Sequence, residues 1–245
     1  MKILKLFFST FLIFLFILPI NTPFAMITQN KNSTRALDSN EKTIYLTFDD
    51  GPEEPVTSDI LNILKEKEVK ATFFLIGNLV EKNPELVKRL NDEGHALGLH
   101  TFTHERNLIY KNNNSFLEEN LKTQKAIENI IDKKVFLLRF PFGSNNSTYT
   151  LTKSMVELLH QNKFKIYDWT VDSTDGLNPK LSPDSILRKS ISKDPNIVLL
   201  MHCGNANKNS AKALPSIIDY FKNLGYSFKI IDENTKEIYR LKNKG

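Results

Sequence analysis

The stretch TIYLTFDDGPEEP, residues 43–55, begins as a strand and ends as a break. β-branched and aromatic residues, with Leu46, fill 43–48, two aspartates follow, and Gly51-Pro52 stops whatever element carries them. Adjacent carboxylates repel each other, so their pairing needs a reason. A polar turn after a strand is the bland reading, since Asp, Gly and Pro are ordinary turn residues. Residues further along decide between that reading and a chemical one.

From Lys42 onward, short β-rich runs alternate with longer stretches of helical period. The runs are 43–48, 71–77, 95–100, 135–140, 164–171, 196–202 and 226–231. Candidate helices lie near 56–68, 83–93, 115–131, 152–162, 183–192 and 210–224. Ser182-Pro183 supplies a cap and a first-turn proline, and Gly94 and Gly225 stand where helices stop. Strands alternating with helices predict an α/β fold with a parallel sheet covered by helices, either open or closed into a barrel. No internal repeat and no second domain interrupts the pattern.

In parallel α/β folds, chemistry gathers at the carboxyl ends of the strands. Asp49 and Asp50 end the first run, His100 the third and Arg139 the fourth. Asp172 and Asp175 follow the fifth, and His202 ends the sixth. Polar residues at five strand ends on one rim weaken the turn reading.

HTFTH (100–104) sets two histidines four apart, a spacing that puts both imidazoles on one face of a helix or tight turn. With a carboxylate from Asp50 they make a three-ligand set with open positions, as in hydrolytic zinc centres. Such an ion lowers the pKa of bound water toward neutrality. Asp49, beside Asp50, is placed to be the base. The Gly51-Pro52 break is expected to let the two neighbouring carboxylates converge. Arg139 follows an apolar run, where an unpaired charge is costly, and is a candidate partner for Asp49. His202 ends another apolar run and is a candidate general acid. His95 reads as a satisfied structural histidine and His160 as a helix-surface residue.

Taken in order, TFDDGP (47–52), HTFTH (100–104), RFPFG (139–143), DSTD (172–175) and LMH (200–202) resemble the five motifs of the polysaccharide deacetylase family, the metal-dependent carbohydrate esterases of family four. The resemblance spans residues 42–232. It implies a distorted (β/α) barrel of about seven parallel strands, and hydrolytic removal of acetyl groups from N-acetylated sugars. It implies Asp49 as base, Asp50, His100 and His104 as metal ligands, and Arg139 as the partner of the base. His202 is implied as general acid and Asp175 as the carboxylate that orients it, with Asp172 as the alternative. Phe142, with its backbone N–H as an oxyanion donor, and Leu200 are the implied substrate-binding positions. The ligand set suits Zn2+, and Co2+ or Ni2+ fit the same donors. Two positions depart from the family pattern. Gly176 stands where a tryptophan usually follows the fourth-motif aspartate, with Trp169 the nearest aromatic. Cys203 follows the acid histidine where a polar residue is common.

Composition and the N-terminus set the context. The chain has 245 residues, 40% hydrophobic and 25% charged, with a net charge of +5 spread thinly. No basic cluster sits among aromatic residues, so no nucleic-acid partner is expected. Cys203 is the sole cysteine, which excludes an internal disulfide and a cysteine metal cluster. Lys2 and Lys5 precede an apolar run from Leu6 to Ile20, short of the ~20 residues of a membrane span. Residues 1–25 read as a signal peptide, or as an uncleaved membrane anchor. Residues 26–41 read as a polar linker and 42–245 as the catalytic domain. Either N-terminal reading places that domain outside the cytoplasmic membrane, touching it only through the N-terminal segment. Oligomeric state leaves no trace in the sequence. The expected substrate is an acetylated cell-wall glycan, first the N-acetylglucosamine of peptidoglycan. Chitin oligomers, muramic acid residues and O-acetylated xylan are the alternatives. An inactive glycan-binding relative is the reading of another class, and the intact base, ligand set and acid argue against it.

Overall fold

The computed structural model describes residues 41–241; the leader over 1–25 and nearly all of the linker over 26–41 lie outside them. The first half of the chain runs β1 (Thr43–Gly51), α1 (Val56–Glu66), β2 (Thr72–Leu75), α2 (Gly77–Lys82), α3 (Pro84–Asp92), β3 (Ala96–Leu99), α4 (Arg106–Ile109) and α5 (Asn113–Ile131). The second half runs β4 (Leu137–Leu138), α6 (Lys153–Gln161), β5 (Lys165–Ile166), β6 (Val171–Asp172), α7 (Pro183–Ser190), β7 (Asn196–His202), α8 (Lys208–Asn223) and β8 (Ser227–Phe228). The six expected helices are present. Ser182 caps α7 by accepting from Ser185 N–H, and Gly94 and Gly225 sit at φ +78° and +75° where α3 and α8 stop. The short α2 and α4 were not foreseen, because one turn or little more carries no readable period. Among the described residues no helix is long and apolar enough to cross a membrane.

All strand pairs are parallel, in the order β5-β4-β3-β2-β1-β7-β6, with β8 added against the start of β1. The expected single run 164–171 is split into β5 and β6, which take opposite ends of that order. β5 pairs with β4, and β6, five residues later, pairs with β7. One bent segment therefore draws the two edges together and curls the sheet into the distorted barrel of about seven strands. At the bend, the carbonyls of Tyr167 and Asp168 accept from Arg139 Nε (2.8 Å) and Nη2 (3.1 Å). A buried guanidinium thus satisfies backbone groups at the break in the ladder.

Two apolar layers follow from the alternation of β1. Ile44, Leu46 and Phe48 belong to the large core under the helices, with Ile60, Leu64, Ile217 and Phe221. Tyr45 faces the other way, onto a smaller cluster of Phe74, Leu137, Tyr167, Val198 and Ile231 inside the curl. Thr47 and Asp49 share that inner face. Each fully buried Leu or Phe contributes about 1.5–3 kcal/mol relative to exposure, so the outer layer holds the scaffold rigid while the inner face is free to carry polar groups.

Candidate active site

The register of β1 against β2 matches Asp49 with Phe74 and Gly51 with Leu75, leaving Asp50 as an extra residue. This bulge sits at φ +68°, in the left-handed region that Asp tolerates better than most residues. Neighbours on a regular strand face opposite sides; the bulge turns Asp50 so that both carboxylates reach one cavity. The turning point is therefore Asp50 itself, one residue before the expected Gly51-Pro52 break. Gly51 serves close packing instead, since a Cβ there would stand 2.5 Å from Cys203 Sγ.

His100 follows β3, and His104 lies on a turn with Thr101 and His104 at φ +64° and +59°. Helix α5 pins that turn. Glu119 Oε2 accepts from the N–H groups of Phe102 (3.0 Å) and Thr103 (2.7 Å), and Asn120 Oδ1 accepts from Thr101 N–H (3.2 Å). Neither supporting residue was anticipated, and nothing in the α5 sequence marks them. His100 Nδ1 lies 3.0 Å from the Arg139 carbonyl. A carbonyl only accepts, so Nδ1 carries the proton and Nε2 presents its lone pair. Burial, then neighbouring His104, lowers the His100 pKa to about 3, so the ring is neutral.

Asp50, His100 and His104 offer ligand atoms that all lie within 4.8 Å of one another. Asp50 Oδ1 is 3.5 Å from His100 Nε2 and 3.4 Å from His104 Nε2, yet has no hydrogen-bond partner although buried. Two donors each about 2 Å from one ion lie roughly 3–4 Å apart. The orphaned oxygen, the lone pair and the spacing fit a divalent cation.

Asp49 is buried, with Oδ1 2.9 Å from Arg139 Nη1 and Oδ2 3.6 Å from His100 Nε2. Arg139 is wholly buried, also donates to Thr47 Oγ1 (2.7 Å), and lies 4.2 Å over the Phe74 ring. Burial raises the Asp49 pKa, and the opposing pull of Arg139 does not cancel it. His202 Nδ1 lies 2.7 Å from Asp175 Oδ1, while Asp175 Oδ2 accepts from His202 N–H (2.9 Å) and Ser210 Oγ (2.5 Å). Asn207 Nδ2 donates to the Asp175 carbonyl. Burial disfavours the charged ring, but the hydrogen bond and charge of Asp175, aided by Asp50 and Asp49, raise the His202 pKa to about 9. Asp172, the alternative to Asp175, lies on β6 and accepts from Thr174 N–H; it lines the cavity without holding His202.

These groups meet in a cavity of ≈ 270 Å³ at the carboxyl ends of the strands. Phe142 (42% exposed, φ +65°) and Leu200 line it. Trp169, Gly176 and Leu177, the last 84% exposed, line the cavity as well. A Cβ at Gly176 would lie 2.3 Å from His202 Cε1, so the imidazole occupies the space that any side chain at 176 would need. The Cys203 thiol donates to the Asp49 carbonyl and burial drives its pKa well up, so it is an inert packing group. His95 is buried just before β3, with Nδ1 accepting from Ala71 N–H and Nε2 facing Glu93 Oε2 at 3.8 Å, too far for a hydrogen bond. His160 lies at the surface beside Glu237. Among the described residues, a larger hollow of ≈ 950 Å³ around Gly94, Lys133 and Asn234 brings together no set of metal-ligating groups.

A parallel sheet curled around paired carboxylates, two converging imidazoles and an Asp–His pair defines a metal-assisted hydrolase. Residues 36–166 match the polysaccharide deacetylase family. A peptidoglycan-N-acetylglucosamine deacetylase of Bacillus cereus is 36% identical over 216 residues, 85% of this chain and 77% of its own. A peptidoglycan-N-acetylmuramic acid deacetylase of Bacillus subtilis is 33% identical, over 80% and 72%. The crystal structure of a Bacillus cereus polysaccharide deacetylase superposes with a TM-score of 0.74 at 38% identity, covering 81% of this chain and 96% of that one. The chain belongs to the polysaccharide deacetylase family, and is a hydrolase acting on amide bonds.

Proposed function

We propose that the protein removes the acetyl group from N-acetylglucosamine units of peptidoglycan outside the cytoplasmic membrane. Asp50, His100 and His104 hold a divalent cation, zinc by donor type, with cobalt and nickel the other ions that suit the set. An ion held there would lower the pKa of bound water and polarise the acetyl carbonyl. Asp49 takes the proton from the attacking water. Its Oδ1 is tied to Arg139, which leaves Oδ2, 3.6 Å from His100 Nε2, as the accepting atom. The Phe142 N–H steadies the developing oxyanion. His202, with Nδ1 committed to Asp175, gives the Nε2 proton to the departing amine. Leu200, Trp169 and Leu177 receive the acetyl methyl and the sugar face. The observation that carries the reading is the convergence of the orphaned Asp50 oxygen, the base and the preset acid on one cavity.

The relatives named for peptidoglycan substrates, and an apolar N-terminus of signal or anchor type, support an exported domain over 42–245. Acetate release from peptidoglycan and from chitin oligomers, with and without chelator, tests this. Release abolished by chelator and restored by zinc is expected. No acetate from any glycan with metal restored overturns it, and activity that survives Asp50→Ala overturns the ligand assignment.

A further inference from the structure

Arg106 takes no part in the chemistry above. It opens α4, two residues beyond His104, and lies half-buried at the mouth of the cavity. Its guanidinium carbon stands 3.9 Å over the Phe142 ring, and that ring meets the His104 imidazole edge-on at 4.9 Å. The guanidinium is thus separated from the His104 imidazole by one aromatic ring. Nη1 donates to Thr148 Oγ1. Stacking and one hydrogen bond thus fix the guanidinium plane, while most of its five donors stay uncommitted. Among the described residues it forms no ion pair.

Packing alone accounts for the contact with Phe142. It does not account for a cation held at the rim with free N–H edges and no carboxylate of its own. Asp49 is paired with Arg139, Asp50 belongs to the candidate ligand trio and Asp175 is paired with His202, whereas the Arg106 guanidinium lines the same cavity with no carboxylate partner among the described residues. A fixed, planar guanidinium suits a carboxylate, which it engages through two parallel N–H bonds.

We infer that Arg106 binds a carboxylate carried beside the N-acetyl sugar under attack, and so makes the enzyme select acidic glycans over neutral ones. The inference rests on the peptidoglycan reading and names the residue that enforces it. The carboxylate belongs either to the lactyl group of a neighbouring muramic acid or to its stem peptide. Chitin carries neither.

The test compares four substrates: a peptide-free oligosaccharide of alternating N-acetylglucosamine and N-acetylmuramic acid, the same oligosaccharide with its carboxyls amidated, the oligosaccharide bearing stem peptides, and a chitin oligomer of equal length. For the unaltered protein, kcat/KM for a carboxylate-bearing glycan exceeds that for its amidated form by about tenfold, the size of one charge-assisted hydrogen bond at a partly wet rim. Arg106→Gln brings that ratio close to one, and Arg106→Lys keeps part of it. Discrimination already present without peptide assigns the carboxylate to muramic acid; discrimination that needs the stem assigns it to the peptide. A ratio near one in the unaltered protein, or one that Arg106→Gln leaves intact, overturns the inference. Calorimetric binding of free against amidated oligosaccharide gives the same ratio without turnover. Absence of acetate from all four glycans thus counts against the deacetylase reading, and the binding ratio still decides the role of Arg106.

Discussion

The two halves of the site are built on opposite terms. On one side Asp50, His100 and His104 crowd together with a buried oxygen left unpartnered, on backbone turned through the left-handed region at three positions. On the other, Asp175 spends both oxygens on His202 and Ser210, and the ring is charged and oriented by the protein alone. The first half leaves a place for an ion; the second is preset. The difference teaches where each kind of damage falls. Loss on the ion side removes a component outright, whereas loss on the preset side shifts a pKa or a ring position.

The largest break comes from the incomplete half. His100→Ala removes one of three ligands and is expected to lower kcat/KM by at least about 10³-fold, since metal activation supplies several kcal/mol. Metal content by mass spectrometry falls with it, while the melting temperature of the apo protein changes little by comparison. Gly176→Ala strikes the preset half. Its Cβ cannot coexist with the His202 ring at 2.3 Å, and displacing an acid by about 1 Å costs on the order of 10²-fold. Metal content is unaffected, which separates the two halves in one pair of assays. Asp175→Asn is gentler. The raised pKa of about 9 keeps His202 protonated at neutral pH, and its proton is lost as pH rises through that value. Removing the Asp175 charge lowers the pKa, so the alkaline limb of kcat/KM moves to lower pH. An unmoved limb in a pH–rate profile shows that another group sets it.

Much of this was legible in the sequence. Strand-end polarity located Asp49, His100, Arg139 and His202 on one rim, and the four-residue spacing paired His100 with His104. The strand–helix rhythm called an α/β sheet, though not its closure. Closure depends on the bend between Ile166 and Val171, where Arg139 takes two carbonyls from the ladder, and no local pattern encodes a guanidinium arriving from another strand. The same holds for the parts that fix the site in place. Glu119 and Asn120 look like ordinary helix-surface residues until their oxygens are found on the HTFTH turn. Ser210 and Asn207 reach Asp175 from across 35 and 32 residues of chain. Groups that do chemistry stand out by type; groups that hold them are polar residues of common kinds, known only by where they end up.

The pairing of β1 with β7 has a consequence for the order in which the protein comes into being. Asp49 sits in register with His202, yet the chain between these strands is long, Thr47 and Leu199 being 152 positions apart. Synthesis runs from the N-terminus, so Asp49, Asp50, His100, His104 and Arg139 all emerge first, with one side of β1 still lacking its neighbour. Such distant pairings form late because the loop must close before the contacts repay it. A chain that stops short of β7 therefore carries Asp49 but lacks His202, its partner in register.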